Sequence, residues 1–363
     1  MAQEYNILQR FFDVLVLIGY NISSVDVHST PAEICTQIIR QKPHVLKRTK
    51  ANSLYYVIDG KKRAFRNLKE HSRGHYGSIK TAVSITIENG LSTPEEEIFI
   101  KTGFYKGYDS MFREALLQIM AQCAFEKYNL SWAIPSVIDI MAENDEGMFS
   151  MIPKNGCYIY ETFLRNNIKK GVPCHQNDVL LFSVISQLGT YVEILTHELQ
   201  MTHRDMKCSN VLMVNPLPAM ETITTKFPDW NIQIKTYLRA ILIDFGMSCI
   251  PHDSENGKIF TPHKLVWTND ITPRDGRDLF LFFADLWRNE WIRNSITPTA
   301  QSLLQSWIGL PWTRELELYK ETAWESLFTK IGFLSFDCSR CTPKNVLTDI
   351  AKHYSDIVQM NIL

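Results

Sequence analysis

Two hydrophobic spacings alternate along this chain. In EYNILQRFFDVLVLIG and TPAEICTQIIRQ, both within the first 62 residues, apolar positions recur every three to four residues, the period of an amphipathic helix. Thr30-Pro31-Ala32-Glu33 reads as a helix start, with a side-chain N-cap followed by proline at the first helical position. Residues 1–62 are therefore expected to form a mostly helical extension. From about residue 63 the period shortens to two. KRAFRNLKEHS, GSIKTAVSITIEN and EEEIFIKTG are short, alternating or β-branched runs separated by turn signals at Gly74, Gly77, Asn89-Gly90 and Gly103, and they predict strands. Residues 108–128 predict a strongly amphipathic helix and residues 177–201 a long buried one. Between 215 and 238, early prolines give way to strand-like alternation, which fits an extended hairpin, a docking loop or a tolerated surface insertion with no role.

Composition narrows the class. The chain has 363 residues, 45% of them hydrophobic, enough for a large core, and a formal charge of −1. So balanced a charge implies neither nucleic acid nor an anionic membrane as a partner. FFDVLVLIGY at 11–20 contains Asp13 and is about half the ~20 residues a spanning helix needs, so no membrane anchor is expected. MAQEYNILQR lacks the basic start of a signal peptide, and a cytoplasmic location follows as an expectation. Of the eight cysteines only Cys338 and Cys341 stand in a C-x-x-C spacing, which without a second pair predicts plain thiols. Cys249 is a candidate reactive thiol on condition of exposure.

The chemistry concentrates in THRDMKCSNVLM at 202–213 and ILIDFGMS at 241–248. Asp205 precedes Lys207 by two residues and Asn210 by five, so one short loop can present a base, a cation and a neutral metal ligand. Asp205 can orient the proton of an attacking hydroxyl, Lys207 can neutralise charge on a transferred phosphoryl group, and Asn210 and Asp244 can offer oxygens to Mg²⁺. Phosphoryl transfer needs positioning and charge stabilisation more than covalent work, and these residue types supply both.

HRDMKCSN and DFG resemble the catalytic loop H-R-D-x-K-x-x-N and metal turn of the eukaryotic-type protein kinase superfamily, letter for letter. The resemblance runs from about residue 70 to nearly the last residue. It implies an α+β fold of two lobes, with a small β-rich N-lobe at 63–151, a hinge at 152–157 and a mainly helical C-lobe at 158–363 that carries an insertion at about 215–238. ATP and Mg²⁺ are the implied cofactors. In HSRGHYGSI, Ser72, Gly74, Tyr76, Gly77, Ser78 and Ile79 fall on the phosphate-covering glycine loop, Ser72 replacing its first glycine. IFIK at 98–101 resembles V-A-I-K and puts Lys101 on the α- and β-phosphates, with Phe99 in place of the small alanine at the adenine ceiling. Glu114 is the implied partner of Lys101, with Glu126 as competitor. Met151 falls on the gatekeeper, Ile152 and Lys154 on the base-facing hinge, and Val211 and Leu212 on the floor under the adenine. Asp278 in GRDLFLFFADLW is implied to brace the HRD backbone, unless it is an ordinary helix cap. SRCTPKNVL at 339–347 resembles the closing R-x-T element, with Arg340 the implied partner of an A-P-E glutamate.

Two departures bear on function. Asp205 and Asp244 lie 39 residues apart, about twice the family's separation, and no A-P-E triplet follows Gly246. Lys207 favours serine/threonine phosphorylation of a protein substrate, itself not identifiable from the sequence. A nucleotide-binding pseudokinase or scaffold, and a small-molecule or lipid kinase, remain as alternatives. Ser248, Ser254, Thr261 and Thr268 are candidate regulatory hydroxyls near Arg204. The 1–62 extension and the 215–238 insertion are candidate docking sites for a partner. In general character the chain is similar to kinases of large DNA viruses, for which the location would be host cytoplasm or virion.

Overall fold

The computed structural model describes residues 6–49, 53–58, 60–73, 77–103, 108–152, 157–214, 217–253, 258–262, 275–320 and 338–362. Gly74, Tyr76, Lys154, Ser254 and Thr268 lie outside the described residues. The structure mixes a large β-sheet with helices and divides into two compact units. The first comprises Met1–Asn155 and Phe245–Ile271, the second Gly156–Asp244 and Thr272–Leu363.

The first unit begins with α1 (Ile7–Leu17) and α2 (Pro31–Ile39). Thr30 caps α2 in a full capping box with Glu33, as its T-P-A-E signature predicts. The chain then turns to strand: β1 (His44–Val45), β2 (Lys47–Arg48), β3 (Leu54–Ile58), β4 (Lys61–Arg73), β5 (Gly77–Glu88), β6 (Leu91–Ser92) and β7 (Glu96–Gly103). The helix α3 (Asp109–Lys127) and strands β8 (Val137–Glu143) and β9 (Glu146–Met151) follow. A later segment adds the hairpin β15 (Ile250–Asp253) and β16 (Lys258–Phe260). The nine strands β1 to β9 make one sheet in the order β1-β8-β9-β7-β5-β4-β3-β2, with β6 pairing β5.

Two expectations need correction here. The 1–62 extension is helical only to residue 39; Leu54, Tyr56 and their alternation in LYYVI make β3 a strand that buries one face in the sheet core with Phe65, Ile98 and Ile100. Nor is α3 amphipathic: from Met111 to Phe125 every residue except Arg113 is buried. Its second face is covered by α1, α2 and residues 245–247, which pack against it. The helical part of the extension thus finishes the burial of α3, and Arg10 Nε locks it there on Glu126 Oε2 at 2.7 Å.

The second unit starts with β10 (Cys157–Ile159), α4 (Tyr160–Asn167) and the 25-residue α5 (His175–Leu199). Strands β11 (Val211–Val214), β12 (Glu221–Lys226), β13 (Trp230–Thr236) and β14 (Ala240–Leu242) come next, then α6 (Arg277–Arg288), α7 (Glu290–Arg293), α8 (Pro298–Ile308), α9 (Leu310–Leu318), α10 (Pro343–His353) and β17 (Val358–Ile362). Two small sheets form, β10-β11-β14 and β12-β13-β17. Residues 221–236 are an antiparallel hairpin, and its second strand also pairs with β17 from the far end of the sequence. Among the described residues α5 alone is long and apolar enough to cross a membrane, yet 78% of that window is buried within the protein. Its buried polar groups explain the burial: Gln187 donates to Leu238 O and accepts from Ala240 N, and Tyr191 donates to Ala240 O. Those bonds anchor the turn that leads into β14.

Candidate active site

In the first unit the candidate phosphate-binding residues stand on β5 and β7. Their register sets Ile79 opposite Lys101 and Gly77 opposite Gly103. A Cβ on Gly77 would sit 2.3 Å from Thr102 O, so a side chain there is incompatible with the close pairing. One residue on, the buried hydroxyls of Ser78 and Thr102 bond at 2.8 Å. Ser72 is exposed, opposite Ile79. Lys101 Nζ meets Glu114 Oε1 of α3 at 2.5 Å, the lysine side chain 15% exposed and the glutamate 1%. Glu126, already held by Arg10, is not the partner of Lys101. So buried a pair is costly to break, at about 3–5 kcal/mol. Met151, paired with Phe99 across β7 and β9, is buried, and Ile152 is half exposed with its N–H on Ser136 O.

In the second unit α6 organises the loop at 203–210. Gly276 caps α6 with φ of +80°, and a Cβ there would lie 2.2 Å from Cys338 O, so glycine is required on both grounds. Asp278 in the first turn then accepts the N–H groups of His203 and Arg204, each at 2.8 Å, which fixes the loop backbone even though Arg204 has φ of +67°. Asp285 accepts the N–H of Cys208 at 2.8 Å. The two carboxylates are seven residues apart, two helical turns, and share one face of α6. Asp285 was missed in the sequence, though that spacing from Asp278 carries the signal.

Within this frame Lys207 Nζ lies 2.8 Å from Asp205 Oδ2. Asn210 Nδ2 donates to both the backbone carbonyl and Oδ2 of Asp205, at 2.8 and 2.9 Å. Burial pushes the Asp205 carboxyl above its usual range; Lys207 opposes that shift, and the nearby charge of Asp244 adds to it. The β11–β14 pairing brings Asn210 beside the DFG turn: Ile243 N–H bonds Asn210 O, and the His203 ring bonds Ile243 O at 3.1 Å. Asp244 itself has φ of +67°. On β11 Val211 is fully buried and Leu212 partly exposed.

The donor set suits Mg²⁺. With its amide hydrogens directed to Asp205, Asn210 keeps Oδ1 without a donor among the described residues, and Asp244 adds a hard anionic oxygen in the same loop cluster. Among the described residues no three His, Cys, Asp or Glu side chains gather as a metal cage. Two protein oxygens match an ion that keeps water and phosphate ligands. Other expectations fall away. Cys249 is buried, as are Ser248 and Thr261, so none of the three is presented for reaction or modification. Arg340 is exposed and makes no ion pair among the described residues, in keeping with the missing A-P-E glutamate. It lines a cavity of about 580 Å³ with residues of α8 and α9, and no predicted site residue reaches that cavity.

No protein-family model matches this chain, and no curated protein matches it. Among solved structures it is similar to the BubR1 kinase domain, at 14% identity over 90% of this chain and 98% of that one, with a TM-score of 0.40. At that level the likeness carries no inference about chemistry, which rests on the residues above.

Proposed function

We propose that the protein transfers the γ-phosphoryl group of Mg·ATP to serine or threonine hydroxyls of a protein substrate. The observation that carries this is the Asp205–Lys207–Asn210 cluster, braced from below by Asp278 and Asp285. Asp205 orients the acceptor hydroxyl and takes up its proton, and burial has raised its basicity for that role. Lys207 stands within reach of the same oxygen and offsets negative charge as it shifts onto the transferred group. Lys101, held by Glu114, is suited to bind phosphate oxygens, and its fixed geometry means little reorganisation on binding. Asn210 and Asp244 would hold Mg²⁺, which supplies charge neutralisation on the phosphates when bound.

The test is transfer of labelled phosphate from Mg·ATP to a generic acceptor protein and to the protein itself. Wild type is compared with Asp205→Asn, whose fold is checked by its melting temperature. Asp205→Asn is expected to cut transfer at least about 100-fold, with phosphoserine or phosphothreonine in the wild-type product. Equal label in both proteins, or none above background in wild type, would overturn the proposal. Nucleotide binding without transfer would favour a scaffold.

A further inference from the structure

The face of β7 that carries Lys101 also carries Phe99, two residues back, because side chains in a strand alternate between faces. The register orders them: Lys101 lies opposite Phe149, and Phe99 opposite Met151, so the ring stands toward the 151–152 segment. That segment is where a base is expected. Phe99 does not stand alone there. Between Glu70 and Ser72 the β4–β5 ladder slips by one residue, and the extra residue is His71. Such a bulge bends its strand and re-aims a side chain. Here the His71 ring stacks on Phe99, centroids 4.9 Å apart and planes 29° from parallel. Opposite Phe99 on β5, the intervening residue is the small Thr81, which leaves room for the two rings to meet.

An adenine needs a flat slot beside Lys101, and a stacked pair of aromatic rings already supplies the π-face contact that a base would make. From this we propose that the His71–Phe99 stack takes the place of the base. On the phosphoryl-transfer reading above, the site then holds a nucleoside triphosphate by its phosphates, with little discrimination among bases. The ligand class is the Mg-bound triphosphate group itself. Truncating Phe99 to alanine restores the small residue and frees one ring volume, so an adenine gains a slot and His71 loses its partner.

The experiment is calorimetric titration of the full chain with Mg·ATP, Mg·GTP and Mg·tripolyphosphate, for wild type, Phe99→Ala and the gentler Phe99→Val. Melting curves confirm that each variant is folded. Wild type is expected to bind the three ligands within about threefold of one another. Phe99→Ala should bind ATP about tenfold tighter while tripolyphosphate is unchanged, with Phe99→Val in between. Wild type that prefers ATP to tripolyphosphate by about thirtyfold or more, or a Phe99 variant that loses ATP affinity, would make the ring a stacking platform and overturn the inference alone. Folded proteins that bind none of the three ligands would overturn the phosphate-site reading as well.

Discussion

Asp205 carries opposing demands. In the proposed function its carboxylate must be ionised to orient an acceptor hydroxyl, yet burial in the loop penalises the charge and raises its pKa. The sign of the consequence is fixed. An unfolded aspartate titrates at about 3.9, and the folded group titrates higher, so between those values the folded state binds more protons and stability falls as pH rises. Phosphate transfer should therefore lose activity on the acid side with a midpoint above the ordinary carboxylate range, read from a pH profile of kcat/KM. In the same proteins Asp205→Asn, which removes the buried charge, should melt at or above the wild-type temperature at pH 7. A lower melting temperature would mean that the Lys207 contact outweighs burial. At this scale much was legible: Asp205, Lys207, Asn210 and Asp244 announce themselves through residue type and spacing. Glu114 was preferred to Glu126 in the sequence, but what takes Glu126 out is Arg10, from a helix more than a hundred residues away. His71 left no trace either, since a bulge depends on strand register and not on composition.

Among the elements, α5 works as a bracket. Gln187 is fully buried and bonds Leu238 O, Ala240 N and, within the helix, Ser183 O. Gln187→Leu keeps the volume, strips the Ala240 N–H of its acceptor at about 1–3 kcal/mol, and leaves Leu238 O with Thr236 Oγ1 alone. The variant should melt several degrees lower, and amide exchange should quicken in β14, which leads directly to Asp244. Unchanged exchange there would show that Tyr191 holds the turn without it. Helices with regular periodicity, such as α5, could be read from the sequence; α3 could not be read correctly, because whether its second face is solvent or core depends on α1 and α2. The hairpin at 221–236 was readable from its alternation, whereas its third strand, β17, is a five-residue segment whose strand character depends on pairing with β13.

At the scale of the molecule, chain order and structural order differ. The first unit borrows residues 245–271 from late in the sequence: β15 and β16 pack on α2, residues 245–247 on α3, and Arg113 stacks over Phe260 with its guanidinium 4.7 Å from the ring centroid. A fragment ending at Asn155 should therefore bind a hydrophobic dye and melt with poor cooperativity. The same fragment joined to 245–271 through a flexible linker should melt cooperatively without dye binding. Equal behaviour of both would show that α1 to β9 suffice. This interleaving was invisible in the sequence, which suggested consecutive segments.

Its consequence reaches to synthesis on the ribosome. When Asn155 emerges, the first unit still lacks its last piece, and at about 5–20 residues per second the wait for residue 271 is roughly 6–23 seconds. Through that interval α2 lacks the cover of β15 and β16, and α3 lacks that of residues 245–247. Codon usage between 156 and 244, and the supply of chaperones to the nascent chain, then become determinants of yield.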